Sequence, residues 1–232
     1  MRRDPPGRPS LTVSECYGPT WQGEGPSVGR RTAILRLGRC NLACQFCDSG
    51  FTWDWERFDP AVELHERSVD DLLAALDAMD IHMVVVTGGE PLLQQRQLVP
   101  LVDALLARAW RIEVETAGTI APALDVTQWN VSPKLANSGN PLERRYKPDV
   151  LRAFEATDRA VFKFVVCEPS DLDEVDAIVR DCGLTNVWIM PEGTDASTLD
   201  RRSAVLVDDV LKRGWNLTTR LHILLWGNRR GV

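Results

Sequence analysis

The chain is most informative at Cys40-Asn41-Leu42-Ala43-Cys44-Gln45-Phe46-Cys47, where three cysteines fall within eight residues. Thiolates are the usual ligands of iron–sulfur clusters, and a four-iron cluster held by only three of them keeps one iron without a protein ligand. An open metal site favours chemistry over a purely structural role. The stretch therefore predicts a 4Fe–4S cluster bound by Cys40, Cys44 and Cys47.

A structural zinc site is the alternative, and such a site normally has four Cys or His ligands. No fourth ligand is suitably spaced, because Cys16 lies on the far side of a glycine-rich segment and His65 stands alone. Cys167 and Cys182 come much later in the chain. We therefore favour the cluster, keep zinc as the alternative, and expect the three other cysteines in the hydrophobic core.

Length and composition set the class of protein. With 232 residues and 44% hydrophobic side chains, the chain is long enough for one large domain, expected over residues 11–232. Residues 1–10 are rich in Arg and Pro and predict a flexible tail. No apolar run approaches the roughly 20 residues of a membrane span, and the N-terminus has no apolar signal segment, so we expect a cytoplasmic protein.

The net charge of −6 gives the protein no general attraction for phosphate backbones. The basic stretches at 144–147 and 229–230 are short, and a position on the solvated surface explains both. We therefore expect neither nucleic acid nor a membrane as a partner, and a small-molecule substrate instead.

Strand and helix patterns alternate along the chain, which is typical of an α/β protein with a parallel sheet. Strand patterns lie at 32–37, 83–87, 111–115, 129–131, 161–166 and 187–190, with a further candidate at 221–225. Helical spacing is found at 69–79, 97–107, 172–179 and 204–212, with Ser68 and Ser170 as candidate N-caps. A complete eight-stranded barrel needs ~250 residues. We therefore predict an incomplete TIM-like barrel of about six parallel strands after a long, glycine-rich N-terminal loop.

Polar motifs directly follow the predicted strands. They occupy residues 40–49, 88–91, 116–118, 132–134 and 191–193. Active sites of α/β barrels and open sheets form at the carboxyl ends of the strands. Five such loops at one end of the sheet predict one shared site.

Two glycine-containing motifs add to that site. In Gly88-Gly89-Glu90-Pro91, paired glycines let the backbone approach a ligand closely, and the carboxylate can accept a hydrogen bond from an ammonium group. In Gly18-Pro19-Thr20-Trp21-Gln22-Gly23-Glu24-Gly25, a ring, an amide and a carboxylate can stack on and bind a flat heterocycle. A tight hairpin is the alternative for the second motif, which has no Lys for a nucleoside triphosphate.

The spacing Cys-x3-Cys-x2-Cys, with Phe46 before the last cysteine and residues 88–91 downstream, resembles the radical S-adenosylmethionine enzymes. A wider combination of motifs resembles the 7-carboxy-7-deazaguanine synthase family over most of residues 14–193. These motifs are Gln22-Gly23-Glu24-Gly25, Arg36, residues 44–49, Thr87 and Ser132-Pro133-Lys134.

That resemblance implies a reaction and its cofactors. Members of the family convert 6-carboxy-5,6,7,8-tetrahydropterin to 7-carboxy-7-deazaguanine with loss of ammonia, on the route to queuosine and other 7-deazapurines. A 4Fe–4S cluster cleaves S-adenosylmethionine to a radical that takes a hydrogen from C6 of the pterin and later returns it, and Mg2+ is required. An electron donor such as flavodoxin or ferredoxin and a homodimeric assembly are also implied.

The resemblance also implies roles for individual residues. The implied pterin-binding residues are Trp21, Gln22, Gly23, Arg36 and Thr87. The implied S-adenosylmethionine-binding residues are Phe46, Cys47, Asp48, Gly89, Ser132, Pro133 and Lys134. A contribution from loop 191–193 is implied as well.

Two positions depart from the family pattern. Many relatives have a threonine whose hydroxyl reaches Mg2+ where this chain has Ser49, and a serine hydroxyl offers the same hard oxygen. The chain end approaches the substrate in relatives, but here the chain continues from His222 through Trp226 to Val232. We therefore do not transfer that contact to Val232.

Two other interpretations remain open from the sequence. A small activase that makes a glycyl radical on a partner protein would share the cysteine loop and the short barrel, but it needs a groove for a peptide. A non-catalytic iron–sulfur or zinc module would leave residues 88–91 without a role.

Overall fold

The computed structural model describes residues 9–232, and within that range seven strands run parallel through the centre of the molecule. The strands are β1 (Ser10–Trp21), β2 (Arg31–Leu37), β3 (His65–Ser68), β4 (Met83–Gly88), β5 (Arg111–Thr116), β6 (Gln128–Val131), β7 (Ala160–Val166), β8 (Val187–Pro191) and β9 (Asn216–Leu217). They form one sheet in the order β3-β1-β2-β4-β5-β6-β7-β8-β9.

The sheet does not close on itself, because β3 and β9 are its two edges among the described residues. β2 and β4 to β9 are parallel, whereas β1 is antiparallel to both β2 and β3. Six of the parallel strands have at least four residues, and β9 has two. The prediction of an incomplete barrel of about six parallel strands is therefore confirmed.

Eight α-helices are found in the described residues, and the longer ones, of at least eight residues, cover the outer face of the sheet. The eight helices are α1 (Pro60–Glu63), α2 (Val69–Asp77), α3 (Gln95–Leu106), α4 (Leu142–Arg145), α5 (Pro148–Glu155), α6 (Asp171–Cys182), α7 (Ala196–Lys212) and α8 (Leu221–Trp226). Ser68 caps α2 as predicted, since its hydroxyl accepts a hydrogen bond from the Asp71 N–H at 3.1 Å. The predicted cap at Ser170 is wrong, because that residue already has helical dihedral angles and its side chain makes no cap hydrogen bond.

The predicted long N-terminal loop is largely a strand. β1 pairs with β2 as far as Trp21, so Gly18–Trp21 belong to the sheet, and a register shift between Tyr17 and Thr20 accommodates them. The glycine-rich loop itself is residues 22–30. Two backbone hydrogen bonds close this loop: the Gln22 N–H donates to the Arg30 carbonyl and the Gly29 N–H donates to the Gln22 carbonyl, both at 2.8 Å.

The candidate strand at 221–225 is wrong, because these residues form α8. A short apolar run does not distinguish a strand from a buried helix. Only Ile223 of this run is buried, while Leu224 and Leu225 are exposed.

Alternation along the strands separates two chemical environments. Residues such as Leu35, Val86 and Ile112 point outward and pack under the helices in the main hydrophobic core. The opposite face of the strands carries Ile34 and Val85 together with polar residues. A buried aliphatic side chain contributes about 1.5–3 kcal/mol relative to an exposed one, so the outer face stabilises the sheet and leaves the inner face available for chemistry.

The remaining expectations concern single segments. Residues 1–8 of the expected tail lie outside the described residues, and Ser10 already begins β1. Cys182 is buried in the hydrophobic core and Cys16 packs against that core, as expected. Cys167 is half-buried and lies outside the core, so the expectation was wrong for this residue. In the part of the chain that the structure describes, no helix has the length and apolar character needed to cross a membrane.

Candidate active site

A cavity of about 460 Å³ lies at the carboxyl ends of the parallel strands. It is lined by the loops that follow β2, β4, β5 and β6, by the glycine-rich loop, and by residues near the end of the chain. The residues singled out in the sequence that line it are Trp21, Gln22, Gly23, Arg36, Cys40, Cys44, Phe46, Cys47, Asp48, Ser49, Thr87, Gly89, Ser132 and Lys134. Pro133 does not line the cavity, although both of its neighbours do.

The three cysteines of the loop after β2 face the same cavity with unpaired thiols. The Cys47 N–H donates to the Cys44 carbonyl at 3.2 Å, and the Gln45 N–H donates to the Ser138 carbonyl at 3.0 Å, which fixes the loop. Burial raises the pKa of the Cys40 thiol to about 12. The sulfur therefore stays protonated at neutral pH unless a cation takes the place of the proton.

The donor set fits an iron–sulfur cluster. Three thiols of one short loop line a space shared with glycine-rich backbone, and thiolates are the usual ligands of such clusters. Within residues 9–232, no three His, Cys, Asp or Glu side chains are grouped closely enough to hold a single metal ion. The three free thiols of the cysteine loop suit a cluster with several iron atoms because of their ligand chemistry.

The paired glycines after β4 allow the cysteine loop to cross the end of the strand. Gly88 has a φ of 133°, and a Cβ there would overlap the backbone of Leu37. A Cβ on Gly89 would overlap the carbonyl of Arg39, one residue before Cys40. The close approach that we predicted for a ligand is therefore made, at least in part, to the protein's own backbone.

Glu90 does not have the role that the motif suggested. Its side chain is fully buried and accepts hydrogen bonds from Leu92 N–H at 3.0 Å, from Ala117 N–H at 2.8 Å, and from the Thr116 hydroxyl. Burial raises its pKa, with these donors opposing the shift. We therefore correct the expectation that this carboxylate meets an ammonium group, since it joins the loops after β4 and β5 instead.

A chain of hydrogen bonds fixes the hydroxyl of Ser49. Arg36 Nη1 donates to Ser49 Oγ at 3.1 Å, and Ser49 Oγ donates to Asp48 Oδ1 at 2.9 Å. Arg36 Nε also donates to Glu15 Oε2 at 2.8 Å. Ser49 is largely buried within the cavity wall, so its hydroxyl has a defined direction.

Arg220 connects the cysteine loop with the glycine-rich loop. It forms ion pairs with Asp48 and, at 3.0 Å, with Glu24, and it donates to the Gly193 carbonyl at 2.7 Å. Burial alone would raise the pKa of Asp48, but Arg220, Arg36 and the hydrogen bond from Ser49 together hold that pKa below its usual range. The carboxylate beside the last cysteine therefore stays charged at neutral pH.

A second set of buried charges lies deeper in the barrel. Lys163 forms an ion pair with Glu24 and approaches Glu115 at 3.8 Å. Glu115 accepts hydrogen bonds from the Thr87 hydroxyl at 2.8 Å and from the Gln22 amide at 3.2 Å. Burial would raise the pKa of Glu24, yet Lys163 and Arg220 hold it well below its usual range.

The end of the described chain closes one side of the cavity. Residues 228–232 line it, although we expected 229–230 on the solvated surface and assigned no substrate contact to Val232. Arg230 donates to Glu15 at 2.5 Å, pairs with Glu63 at 2.7 Å, and lies over the Phe51 ring at 3.7 Å. The Leu221 N–H donates to the Gly23 carbonyl at 2.8 Å and fixes α8 against the glycine-rich loop.

Sequence reasoning missed several residues of the site. Glu115, Lys163 and Arg220 line the cavity, and none of them belongs to a motif that we identified. A signal was present for Lys163, because a single lysine interrupts the apolar strand β7 and is almost fully buried. The basic stretches were also not simply solvated, since Arg145 is buried and pairs with Glu174.

Residues 34–129 match the family model of the Radical SAM superfamily. An open parallel barrel with a three-cysteine loop at the carboxyl ends of its strands defines a radical S-adenosylmethionine enzyme. Membership of this class implies a 4Fe–4S cluster and S-adenosylmethionine as cofactors, a small-molecule substrate and a reductant.

Two proteins named 7-carboxy-7-deazaguanine synthase are similar over nearly the whole chain. The protein from Pyrobaculum aerophilum is 33% identical over 96% of this chain and 98% of its own length. The protein from Halobacterium salinarum is 34% identical over 95% of this chain and 92% of its own length. The chain therefore belongs to the 7-carboxy-7-deazaguanine synthase family.

A solved structure supports the fold independently. The crystal structure of QueE from Escherichia coli superposes with a TM-score of 0.71 at 24% sequence identity, and the match covers 92% of this chain and 95% of that one. At this identity the likeness shows that the two proteins share their architecture.

Proposed function

We propose that the protein converts 6-carboxy-5,6,7,8-tetrahydropterin to 7-carboxy-7-deazaguanine with loss of ammonia, as a carbon–nitrogen lyase. One observation carries the proposal: the cysteine loop and the residues suited to a flat, anionic heterocycle line the same cavity. A radical generated at the cysteine loop would therefore meet the substrate without crossing solvent. Membership of the family and the order of the motifs along the chain support the same reaction.

The cofactors would occupy the end of the cavity nearest the cysteine loop. Cys40, Cys44 and Cys47 would hold the 4Fe–4S cluster, which when bound supplies the electron that cleaves S-adenosylmethionine. The remaining residues proposed to bind S-adenosylmethionine are Phe46, Asp48, Gly89, Ser132, Pro133 and Lys134. Lys134 donates to Ser132 Oγ at 2.8 Å, so these two polar groups form one surface, and Pro133 would shape the loop between them.

The pterin would lie between the glycine-rich loop and the barrel. Trp21 would stack on the ring, Gln22 and Gly23 would bind its polar edge, and Thr87 would contact it from β4. Arg36 would bind the carboxylate, because a guanidinium donates two parallel hydrogen bonds to such a group.

The cavity wall carries balanced charge although the whole chain is acidic. Of the lining residues, six are cationic and five are acidic, against a net charge of −6 for the protein. The cations are Arg36, Lys134, Lys163, Arg220, Arg229 and Arg230, and the acids are Glu15, Glu24, Asp48, Glu115 and Glu192. This balance favours an anionic substrate more than the rest of the surface does.

Magnesium would be bound by Ser49 together with oxygen atoms of the substrate and water. Mg2+ prefers hard oxygen ligands and keeps several of its waters when it binds to a protein. The Ser49 hydroxyl is already oriented by Asp48, which keeps an oxygen lone pair available. We also propose a single domain over residues 11–232, a homodimer, a flavodoxin or ferredoxin as electron donor, and a role in queuosine or other 7-deazapurine synthesis.

The test is an anaerobic assay of the reconstituted protein with 6-carboxytetrahydropterin, S-adenosylmethionine, reductant and Mg2+. We expect 7-carboxy-7-deazaguanine in the mass spectrum of the products, and we expect none with the Cys44→Ala variant. Release of 5′-deoxyadenosine without this product, from protein that contains about four irons, would contradict the proposed substrate and favour another radical reaction.

A further inference from the structure

Two side-chain N–H groups donate hydrogen bonds to sulfur atoms of the cysteine loop. Trp53 Nε1 lies 3.3 Å from Cys47 Sγ, and Asn140 Nδ2 lies 3.3 Å from Cys44 Sγ. Trp53 is in the segment that follows the cysteine loop, whereas Asn140 lies between β6 and α4. Two separate parts of the chain therefore direct a donor to two different cysteines.

The chemistry of each contact identifies the nitrogen as the donor. The indole N–H of Trp53 can only donate. The amide of Asn140 is oriented by its other partner, because the Ala43 N–H donates to Asn140 Oδ1 at 2.9 Å and needs an oxygen there. The Nδ2 group must then face Cys44.

Both donors are held in place by neighbouring residues. The backbone N–H of Trp53 donates to the Gly50 carbonyl at 3.0 Å, which fixes the backbone that carries the indole. Asn140 is buried, and Arg145 Nε donates to the backbone carbonyl of Asn140 at 3.2 Å. Arg145 is itself buried and pairs with Glu174 at 2.6 Å. The two N–H groups are therefore oriented before any metal group is bound.

We propose that Trp53 and Asn140 are positioning residues that raise the reduction potential of the iron–sulfur cluster by donating hydrogen bonds to two of its cysteine ligands. The inference rests on the proposed cluster. Reduction transfers one electron from the donor protein to the cluster, and the added negative charge is shared with the coordinating sulfurs. An N–H group that points at such a sulfur stabilises the reduced form more than the oxidised form, and hydrogen bonds to sulfur are known determinants of cluster potentials.

Trp53→Phe tests the first donor, since it removes the N–H and keeps an aromatic ring. With one hydrogen bond lost, we expect the ratio of reduced to oxidised cluster at a fixed potential to fall about fivefold. That change is a downward shift of about 40 mV, at about 59 mV per tenfold for one electron. The measurement is a redox titration by electron paramagnetic resonance on the full chain, without S-adenosylmethionine. Trp55→Phe is the matched control, because Trp55 lies in the same segment and is exposed. The cluster of this variant should have the same reduction potential as that of the wild type.

Asn140→Asp tests the second donor. An aspartate keeps the oxygen that accepts from Ala43 and replaces the N–H with a second oxygen. We expect a downward shift larger than that of Trp53→Phe, because a donor is lost and a negative charge is gained beside the sulfur. Asn186→Asp is the control, since it adds the same charge at an exposed position next to the amino end of β8.

Iron and sulfide are measured in every variant, and reduction potentials are compared only between proteins that contain about four irons. Potentials of Trp53→Phe and Asn140→Asp that equal the wild-type value, in protein with about four irons, would overturn the inference. If neither variant retains the cluster, resonance Raman spectra of the wild type in light and heavy water test the inference instead. Deuteration of an N–H···S hydrogen bond shifts the iron–sulfur stretching bands, so bands that are the same in both solvents would overturn the inference. A wild type that binds no cluster would overturn the proposed function itself, and the iron content identifies that case.

Discussion

At the scale of single residues, Arg36 is the side chain that we propose to bind the substrate carboxylate. Arg36→Ala removes a charged donor and should raise the KM for the pterin about 10- to 150-fold, since hydrogen bonds to charged groups contribute about 1.5–3 kcal/mol. The KM of Arg36→Lys should lie between those of the wild type and Arg36→Ala, because lysine keeps the charge and loses the planar fork. Arg96→Ala, at an exposed position of α3, is the control. A KM for Arg36→Ala within twofold of the wild-type value would contradict the assignment.

Ser49 is the second residue with a specific expectation. Ser49→Ala removes the hydroxyl that would bind Mg2+, so the Mg2+ concentration for half-maximal activity should rise at least about tenfold. Ser49→Thr keeps the hydroxyl and adds a methyl group that restricts χ1, so its Mg2+ requirement should be no higher than that of the wild type. Equal Mg2+ dependence of the alanine variant and the wild type would remove Ser49 from the metal site.

Residue identity alone located part of the site and not the rest. The cysteines stood out because they form a short motif, and Arg36 was singled out by the family resemblance; both line the cavity, and their roles stay predictions. Glu90 was misjudged, because its motif does not show that it is fully buried and bonded to the loop after β5. Lys163 and Glu115 were missed because their side chains meet only when β5 and β7, which lie on either side of β6, direct them to the same face of the sheet.

At the scale of elements, the glycines after β4 determine how the cysteine loop is placed. Gly89 N–H donates to the Leu37 carbonyl and Glu90 N–H donates to the Arg39 carbonyl, so β4 and the cysteine loop are joined by backbone hydrogen bonds. Gly89→Ala places a Cβ against the Arg39 carbonyl and should displace the loop. We expect less than about half of the wild-type iron content after reconstitution, since crowding of backbone atoms cannot be relieved by rotating a side chain.

The control for that variant is Gly183→Ala. Gly183 has a φ of 67° at the end of α6, and its Cβ would meet open space. This variant should lose about 1 kcal/mol of stability from the left-handed backbone conformation and keep its full iron content. If Gly89→Ala bound as much iron as Gly183→Ala, the proposed contact between β4 and the loop would not matter for cluster binding.

The sequence patterns predicted elements best where neighbouring strands pair along a buried sheet. The strands with apolar runs, β4 and β7, were located to within a residue or two. β1 was missed altogether and predicted as a loop, because Gly18, Pro19 and the bulge beside them are typical of turns. α8 was mistaken for a strand because six apolar and polar residues do not define a period, and only its contact with the glycine-rich loop fixes its position.

At the scale of the whole molecule, residues far apart in the chain close the site. Arg220 joins Glu24 and Asp48, and Arg230 joins Glu15 and Glu63, so the segment after β9 is attached to β1, α1 and two loops in the first third of the chain. These pairs could not be predicted from motifs, because each one depends on the barrel bringing its first and last elements together.

This arrangement also predicts how stability depends on pH. Burial lowers the pKa of His222, with Arg220 adding to the shift and Glu24, Asp48 and Glu115 opposing it. Below about pH 6.5 the unfolded chain binds a proton at this histidine while the folded protein does not, so stability should fall as the pH is lowered from 7 to 5, by at most about 1.4 kcal/mol per pH unit. The carboxylates Glu24 and Asp48 have lowered pKa values, so their stabilisation is lost only at more acidic pH.

Urea unfolding of the cluster-loaded protein under anaerobic conditions measures this dependence. His222→Gln should flatten the fall between pH 7 and 5, because the uncharged amide does not titrate. His65→Gln is the control, since His65 is exposed at the edge strand β3. Identical slopes for His222→Gln and the wild type would show that His222 does not titrate differently in the folded protein.

We propose that one cavity holds the pterin in contact with S-adenosylmethionine. Substrate deuterated at C6 tests this arrangement most directly, because hydrogen passes between the two molecules only when they are adjacent in the same site. We expect deuterium at the 5′ position of 5′-deoxyadenosine or of recovered S-adenosylmethionine, measured by mass spectrometry, together with formation of 7-carboxy-7-deazaguanine. Product formed with no deuterium in either molecule would contradict the shared cavity.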